Sequence, residues 1–191
     1  MPRADARRNR ALILATAKKI FDERGPGAPL DDIARHAGIG NATVYRHFPT
    51  RRDLLIAVYE EEVADLTDRG RRLLSDTPPA DALFTWLSAF IAHVADKADL
   101  ARSIPEEGRT ALFSAWHEAM HSALSPLLGR AQKSGAVRSD IRPADLLALA
   151  NGLALAGAGS AQTDRLLQLA REGIATPSER RPDGDHPESG S

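Results

Sequence analysis

The sequence contains no cysteine among its 191 residues. The absence of thiols excludes structural disulfides, cysteine-ligated zinc sites and thiol catalysis, and it fits a reducing compartment. No apolar segment of signal-peptide composition follows the charged N-terminus, because Lys18 and Lys19 interrupt the first apolar run. These absences predict a cytoplasmic protein.

The chain also lacks an apolar run long enough to span a membrane. Its most apolar segment, residues 146–161, has only Asn151 and Ser160 as polar side chains, but it is shorter than the span of about 20 residues that a bilayer needs. The segment is rich in Ala and Gly, whose small side chains let helices approach closely. We therefore expect it to pack against another helix, with the interface between two copies of the chain as the expected place.

Net charge is nearly absent as well, at −1, but it is distributed unevenly. Residues 1–52 hold 11 Lys and Arg against 5 Asp and Glu, a charge of +6, while the rest of the chain holds 14 against 21, a charge of −7. So strong a separation of charge predicts that the basic part meets a polyanion, with nucleic acid as the first candidate.

Helical periodicity accounts for almost the whole chain, so the sequence predicts an all-α fold. Apolar side chains recur every three to four residues, no strand pattern exceeds a few residues, and no internal repeat is present. Glycine and proline divide the pattern into segments. The predicted helices span residues 10–24, 30–36, 41–48, 51–74, 80–95 and 108–134, then a segment that begins near Pro143, and finally 163–174.

Three places in this pattern depart from simple helices. Pro126 lies inside a predicted helix, where proline kinks the helix or splits it in two. Residues 175–191 combine Pro, Gly, Ser and charge with almost no apolar side chains, so we expect a disordered tail. The arginines of residues 3–10 fit two interpretations, an arm that reaches an adjacent DNA groove or a frayed basic terminus with unspecific attraction to phosphate.

Residues 30–48 have the spacing of a helix-turn-helix. Two short predicted helices flank a glycine turn, in which Gly38 suits the left-handed conformation that ends a helix. Ile33, Val44 and Phe48 are spaced to form the small core between the two helices, which leaves the polar side chains of the second helix outward. In helix-turn-helix proteins the second helix enters the DNA major groove and the first crosses the backbone.

The segment PLDDIARHAGIGNATVYRHFPTRRDLL, with the preceding ILATAKKIFDERG, resembles the DNA-binding segment of TetR/AcrR-type transcriptional regulators. The family pattern along this stretch is Ile-Ala, Ala-Gly-Val-Ser, Tyr-x-His-Phe and Ser-Lys-Glu-x-Leu. The chain departs from it at Pro29 and Gly40, where the family has the Thr or Ser that caps each helix. Glycine is an accepted N-cap residue, so the second departure costs little.

The resemblance implies a DNA-binding domain over residues 1–52 and a helical effector-binding and dimerisation domain over residues 53–174. It implies that bases are read by Asn41, Ala42, Thr43 and Arg46, and that phosphates are contacted by Tyr45, His47 and Arg51. The chemistry of two of these residues agrees with their places. Arg46 can bind guanine through two hydrogen bonds, and Thr43 can contact a thymine methyl group.

The same resemblance implies the partners. Double-stranded DNA with a palindromic operator is expected, bound by a homodimer whose last two helices form a four-helix bundle. Repression relieved by a small-molecule effector is the family expectation, with no cofactor, no metal and no membrane partner. No enzymatic activity is expected, because the sequence has no pattern of nucleophile, base and orienting group. The alternative is a helical small-molecule-binding protein or enzyme without specific DNA recognition.

Aromatic, histidine and methionine side chains of the central predicted helices form the candidate effector pocket: Trp86, Phe90, His93, Phe113, Trp116, His117 and Met120. Such residues are more often plain core, but the family has an effector pocket among its central helices, and aromatic rings with a few polar groups suit one. His117 and His121 have the spacing of metal ligands on one helix. No acidic motif or cysteine accompanies them, so an effector contact or an amphipathic edge is preferred over a metal.

Overall fold

A computed structural model describes residues 2–104, 106, 109–156 and 160–175. In chain order its helices are α1 (Pro2–Arg24), α2 (Leu30–Ala37), α3 (Asn41–His47), α4 (Arg51–Asp76), α5 (Pro79–Ser103), α6 (Arg109–Lys133), α7 (Pro143–Leu155) and α8 (Ser160–Ile174). An isolated bridge joins Val137 and Ala175. The all-α prediction is confirmed for the described residues, and the predicted disordered tail lies outside them apart from Ala175.

The largest differences from the predicted helices are at α1 and α5. α1 begins at Pro2, with Asp5 in its first turn and paired with Arg8 at 3.3 Å, so the basic N-terminal segment is helical in this structure. α5 continues to Ser103, well past its predicted end near residue 95. Pro126 lies inside α6 and does not split it.

α2 packs on α1, and α3 packs on α2, through a small apolar core. Ile33 and Val44 are both 0% exposed. Between the two helices Gly38 has a φ of 65°, and the N–H of Ile39 donates to the carbonyl of Ala34 at 3.0 Å. The turn therefore closes as a glycine C-cap, which fixes the angle between α2 and α3.

We expect Gly38→Ala to lower the free energy of unfolding by about 1 kcal/mol, because a residue with a Cβ is strained at this φ. No atom lies within 4 Å of the added Cβ, so the backbone alone causes the loss. Urea titration followed by circular dichroism measures it. Gly129→Ala is the matched control: Gly129 has equally open surroundings inside α6, and alanine there should stabilise by about 0.5 to 1 kcal/mol. Equal losses in both variants would contradict this account.

A capping box begins α4 directly after α3. Thr50 Oγ1 accepts from the N–H of Asp53 at 3.2 Å, and Asp53 Oδ2 accepts from the N–H of Thr50 at 2.9 Å. Both hydrogen bonds of a capping box are therefore present at the start of α4. It sets the direction in which α4 leaves the helix-turn-helix and enters the larger bundle.

α4, α5, α6 and α7 build the second part of the core. Trp86 on α5 and Leu124 on α6 are 0% exposed. α8 contacts α5 through Arg171. Its guanidinium donates to Asp81 at 2.6 Å and lies 5.2 Å from the ring centre of Phe84. Within the described ranges, no helix combines the length and apolar character that crossing a membrane requires.

Candidate nucleic-acid interface and ligand cavity

α3 is a seven-residue helix with one buried side. Val44 is fully buried against α2. The predicted DNA-binding residues of α3 face outward. Asn41, Ala42, Tyr45 and Arg46 are exposed, and Thr43 and His47 are half-exposed. The structure thus brings the predicted reading residues together on the outer surface of one short helix, which packs on α2.

The side chains near the C-terminal end of α3 differ in their contacts with the rest of the protein. Arg46 makes no hydrogen bond or ion pair with any described residue. The Tyr45 hydroxyl donates to Asp31 Oδ1 at 3.3 Å, and the Asp31 charge is the main reason that the pKa of Tyr45 is raised. Arg10 of α1 lies 5.6 Å from the ring centre of Phe48, directly after α3, so it adds a positive charge at this end of the helix.

Arg51 supports the loop between α1 and α2. It is the first residue of α4, and its Nη2 donates to the carbonyl of Pro26. The side chain is exposed, and a guanidinium has five N–H donors, so further donors remain for a phosphate. The Arg51 side chain could therefore bind a phosphate, as predicted, while it keeps its hydrogen bond to the loop.

A cavity of about 910 Å³ opens among α4, α5, α6 and α7. From the predicted effector pocket it collects Phe90, His93, Phe113, Trp116, His117 and Met120. The rest of its lining is Tyr59, Val63, Val94, Ala98, Arg102, Thr110, Ser114 and Asn151. Both its size and its mixture of aromatic and polar groups are typical of small-molecule sites.

Trp86 lies outside the cavity lining, contrary to the prediction. It is 0% exposed, its indole Nε1 donates to the carbonyl of Leu66 at 2.9 Å, and its ring stacks on Phe90. Gly70 permits this packing, because a Cβ there would lie 3.2 Å from the indole nitrogen. Helical spacing places Trp86 and Phe90 on neighbouring positions of α5, and contact with α4 decides that Trp86 belongs to the core.

Aromatic rings form one wall of the cavity. Trp116 stacks on Tyr59 with ring centres 4.1 Å apart, and Phe113 lies 5.1 Å from Trp116. Burial, with a smaller contribution from Glu62, raises the pKa of Tyr59, so its hydroxyl stays protonated at neutral pH. The sequence-based prediction did not include Tyr59, because its place in the cavity depends on contact between α4 and α6 rather than on a local pattern.

Polar side chains of α6 form another part of the lining. Thr110, Ser114 and His117 are spaced by four and three residues, so they share one face of the helix. The sequence contains a signal for Thr110 and Ser114, because they form a polar stripe beside the aromatic residues Phe113 and Trp116. Over the described ranges, no group of three or more His, Cys, Asp or Glu side chains is placed to hold a metal ion.

Glu62 connects the cavity wall to α1. Its Oε2 lies 3.9 Å from Nδ1 of His93, and its Oε1 lies 3.0 Å from Nζ of Lys18. Burial by itself lowers the pKa of Lys18, but hydrogen bonds and attraction to Glu62 and Asp65 outweigh burial, so the pKa is raised and the ammonium stays charged. An ion pair therefore joins α1, on which α2 packs, to α4 beside the wall of the cavity.

Comparison with known proteins gives a consistent match over both parts of the chain. Residues 13–58 match the family model of bacterial regulatory proteins of the tetR family, and residues 78–176 match the model of the SbtR-like transcriptional regulator C-terminal domain. A TetR transcriptional regulator from Streptomyces coelicolor is 38% identical, with a TM-score of 0.74 over 88% of this chain and 99% of that chain. A TetR transcription regulatory protein from Mycobacterium vanbaalenii is 34% identical, with a TM-score of 0.76 over 92% and 99%.

Curated relatives match the DNA-binding segment. An HTH-type transcriptional regulator from Staphylococcus aureus is 40% identical over 62 residues, which are 32% of this chain and 34% of that protein. The match thus spans about a third of the curated relatives' length. The C-terminal model alone covers more than half of the chain, and the two solved structures match over nearly their whole length. The chain therefore belongs to the TetR family of bacterial transcriptional regulators.

Proposed function

We propose that the protein is a homodimeric repressor that binds a palindromic operator and is released from it by a small-molecule effector. The outward face of α3 carries this proposal, because Arg46 and its polar neighbours project from a helix that buried Val44 holds in place. A helix so placed can enter the major groove while α2 crosses the backbone. Residues 1–52 would be the DNA-binding domain, and residues 53–174 the effector-binding and dimerisation domain.

The proposed contacts divide by chemistry. Bases would be read by Asn41, Ala42, Thr43 and Arg46, and phosphates would be bound by Tyr45, His47 and Arg51. A base contact specifies sequence, whereas a phosphate contact only positions the protein. The excess of 11 Lys and Arg over 5 Asp and Glu in residues 1–52 supports the attraction to a polyanion.

Selection from random duplex DNA tests the proposal. The purified protein retains bound duplexes at moderate salt, and the retained pool is sequenced. We expect a palindrome whose half-sites are about one helical turn apart, roughly 34 to 36 Å. Recovery of no preferred sequence would overturn specific DNA recognition in favour of a helical protein that only binds small molecules.

The dimer contact is proposed on α7 and α8. Support comes from their exposed apolar side chains, since Leu149 is 39%, Leu155 67% and Leu169 57% exposed. Clusters of exposed apolar surface mark interaction sites in proteins. Two copies that pack α7 and α8 against each other would form a four-helix bundle over these leucines.

Leu169→Glu should convert the dimer to monomer, because the dimer would bury a carboxylate at two symmetric positions without a partner. Sedimentation velocity measures the mass. Leu12→Glu is the matched control: Leu12 is 45% exposed but lies on α1, so this variant should remain a dimer. A Leu169→Glu protein that sediments as a dimer would place the interface elsewhere.

Glu62 supports the release step. It lies between His93 of the cavity wall and Lys18 of α1, so a ligand that contacts His93 would act on the ion pair that joins α4 to α1, the helix on which α2 packs. Such a ligand releases DNA only to the extent that it binds the released conformation more tightly than the DNA-bound one. The cavity and the reading helix would then be two sites coupled through α4 and α1.

A further inference from the structure

His93 is a buried polar side chain whose hydrogen-bonding groups find no partner in the described part of the chain. Only 6% of the side chain is exposed, and it lines the cavity. Nδ1 lies 3.9 Å from Glu62, beyond hydrogen-bond distance, and Nε2 has no hydrogen-bond partner among the described residues. Buried polar groups in native proteins are normally paired, so a nitrogen left unpaired at a cavity wall marks a place for a ligand atom.

The charges around the cavity favour an anion at that place. The ionisable side chains of the lining are Tyr59, His93, Arg102 and His117, and no Asp or Glu from the described ranges belongs to it. Glu62 lies beside His93 rather than in the lining. Its Oε1 pairs at 3.0 Å with the ammonium of Lys18, which also contacts the exposed carboxylate of Asp65 at 3.4 Å. A cationic ligand would therefore find no carboxylate among the described lining residues.

The shape of the aromatic wall favours a flat ligand. Tyr59 and Trp116 stack at 30° to each other, and Phe113 completes the group with its ring centre 5.1 Å from Trp116. Phe113 is 37% exposed, so part of its ring surface remains uncovered. Ring systems prefer stacked or edge-on contact with other rings, which adds to the burial of apolar area.

We propose that this cavity binds a planar aromatic carboxylate, with the carboxylate at Nε2 of His93 and the ring against Phe113 and Trp116. The inference rests on the proposed function, because it names the ligand class of the proposed effector cavity. The Nε2–H of the imidazole would donate a hydrogen bond to the carboxylate of the ligand. The hydroxyls of Thr110 and Ser114 are further donors in the same lining.

Isothermal titration calorimetry on the full chain tests the ligand class with three probes that share one ring system. The probes are 2-naphthoate, 2-naphthylmethanol and 2-naphthylmethylammonium. We expect 2-naphthoate to bind at least about tenfold more tightly than the alcohol, and the ammonium compound to bind more weakly than either. Equal affinity for 2-naphthoate and the alcohol, tighter binding of the ammonium compound, or no measurable binding of any probe would overturn the proposal, and none of these outcomes depends on a variant.

Variants locate the carboxylate. His93→Phe should abolish the preference for 2-naphthoate over the alcohol, whereas His121→Phe should keep it, because His121 is outside the cavity lining. Circular dichroism checks the fold of each variant. If His93→Phe does not fold, His93→Gln takes its place; its amide still donates a hydrogen bond, so the preference should shrink without vanishing. A preference that is unchanged in the His93 variant overturns the assignment.

Failure of the proposed function gives a different result. DNA selection that recovers no palindrome overturns the repressor, whatever the calorimetry shows. Binding of 2-naphthoate that leaves a protein–DNA complex intact would overturn effector release and leave the ligand class standing. A recovered palindrome together with equal binding of 2-naphthoate and the alcohol would support specific DNA recognition and overturn the ligand class.

Discussion

Arg46→Ala should weaken binding to the selected duplex by about 1 to 3 kcal/mol and relax the preference at one base pair of each half-site. Arg46 is exposed on α3 and makes no hydrogen bond or ion pair with a described residue, so its truncation should remove the proposed DNA contact without disturbing the fold. A guanidinium donates two hydrogen bonds to O6 and N7 of guanine, a pattern that the other base pairs do not offer. Fluorescence anisotropy with the selected duplex and with single-base variants measures both effects.

Arg72→Ala provides the control for lost charge. Arg72 is also exposed but lies on α4, away from the reading face, so its loss should leave the base preference unchanged. The salt dependence separates two roles for Arg46. If its truncation weakened binding equally on every sequence and made the salt dependence shallower, Arg46 would be a phosphate contact rather than a base reader.

The helix-turn-helix was predictable because its determinants are local in sequence. Gly38 ends α2, and Thr50 and Asp53 begin α4, each through contacts within five residues along the chain. The contact of Arg51 with Pro26 lies outside such reasoning, because the two residues are 25 positions apart. The proposed roles in DNA binding stay predictions, since they depend on a partner molecule.

The cavity was predicted less completely, because contacts between helices define it. Ending α5 near residue 95 left out Ala98 and Arg102, although both continue Phe90 and Val94 in steps of four residues. The charged residues that fill the C-terminal part of α5 hide this stripe. Asn151 reaches the cavity from α7. It is one of the two polar side chains of residues 146–161, but that pattern does not show which helices it faces.

Trp86→Ala should lower the free energy of unfolding by about 3 to 5 kcal/mol. The indole is 0% exposed, donates to the carbonyl of Leu66 and stacks on Phe90, so its removal loses contacts on every side and leaves a void in the bundle. Such a loss is a large part of the free energy of unfolding of a typical domain, which is about 5 to 15 kcal/mol. Urea denaturation at a fixed protomer concentration measures it, because the stability of the proposed dimer would depend on concentration.

Trp116→Ala is the informative comparison, because the chain has two tryptophans and the cavity touches one of them. Trp116 is 7% exposed but lines open space, so its truncation enlarges an existing cavity and should cost less than half of the loss for Trp86→Ala. It should instead weaken binding of 2-naphthoate by removing the ring beside Tyr59. Trp86→Phe, which keeps an aromatic ring in the core, should leave that binding unchanged. If Trp116→Ala cost as much stability as Trp86→Ala and left 2-naphthoate binding intact, the aromatic wall would be structural core and the ligand site would lie elsewhere.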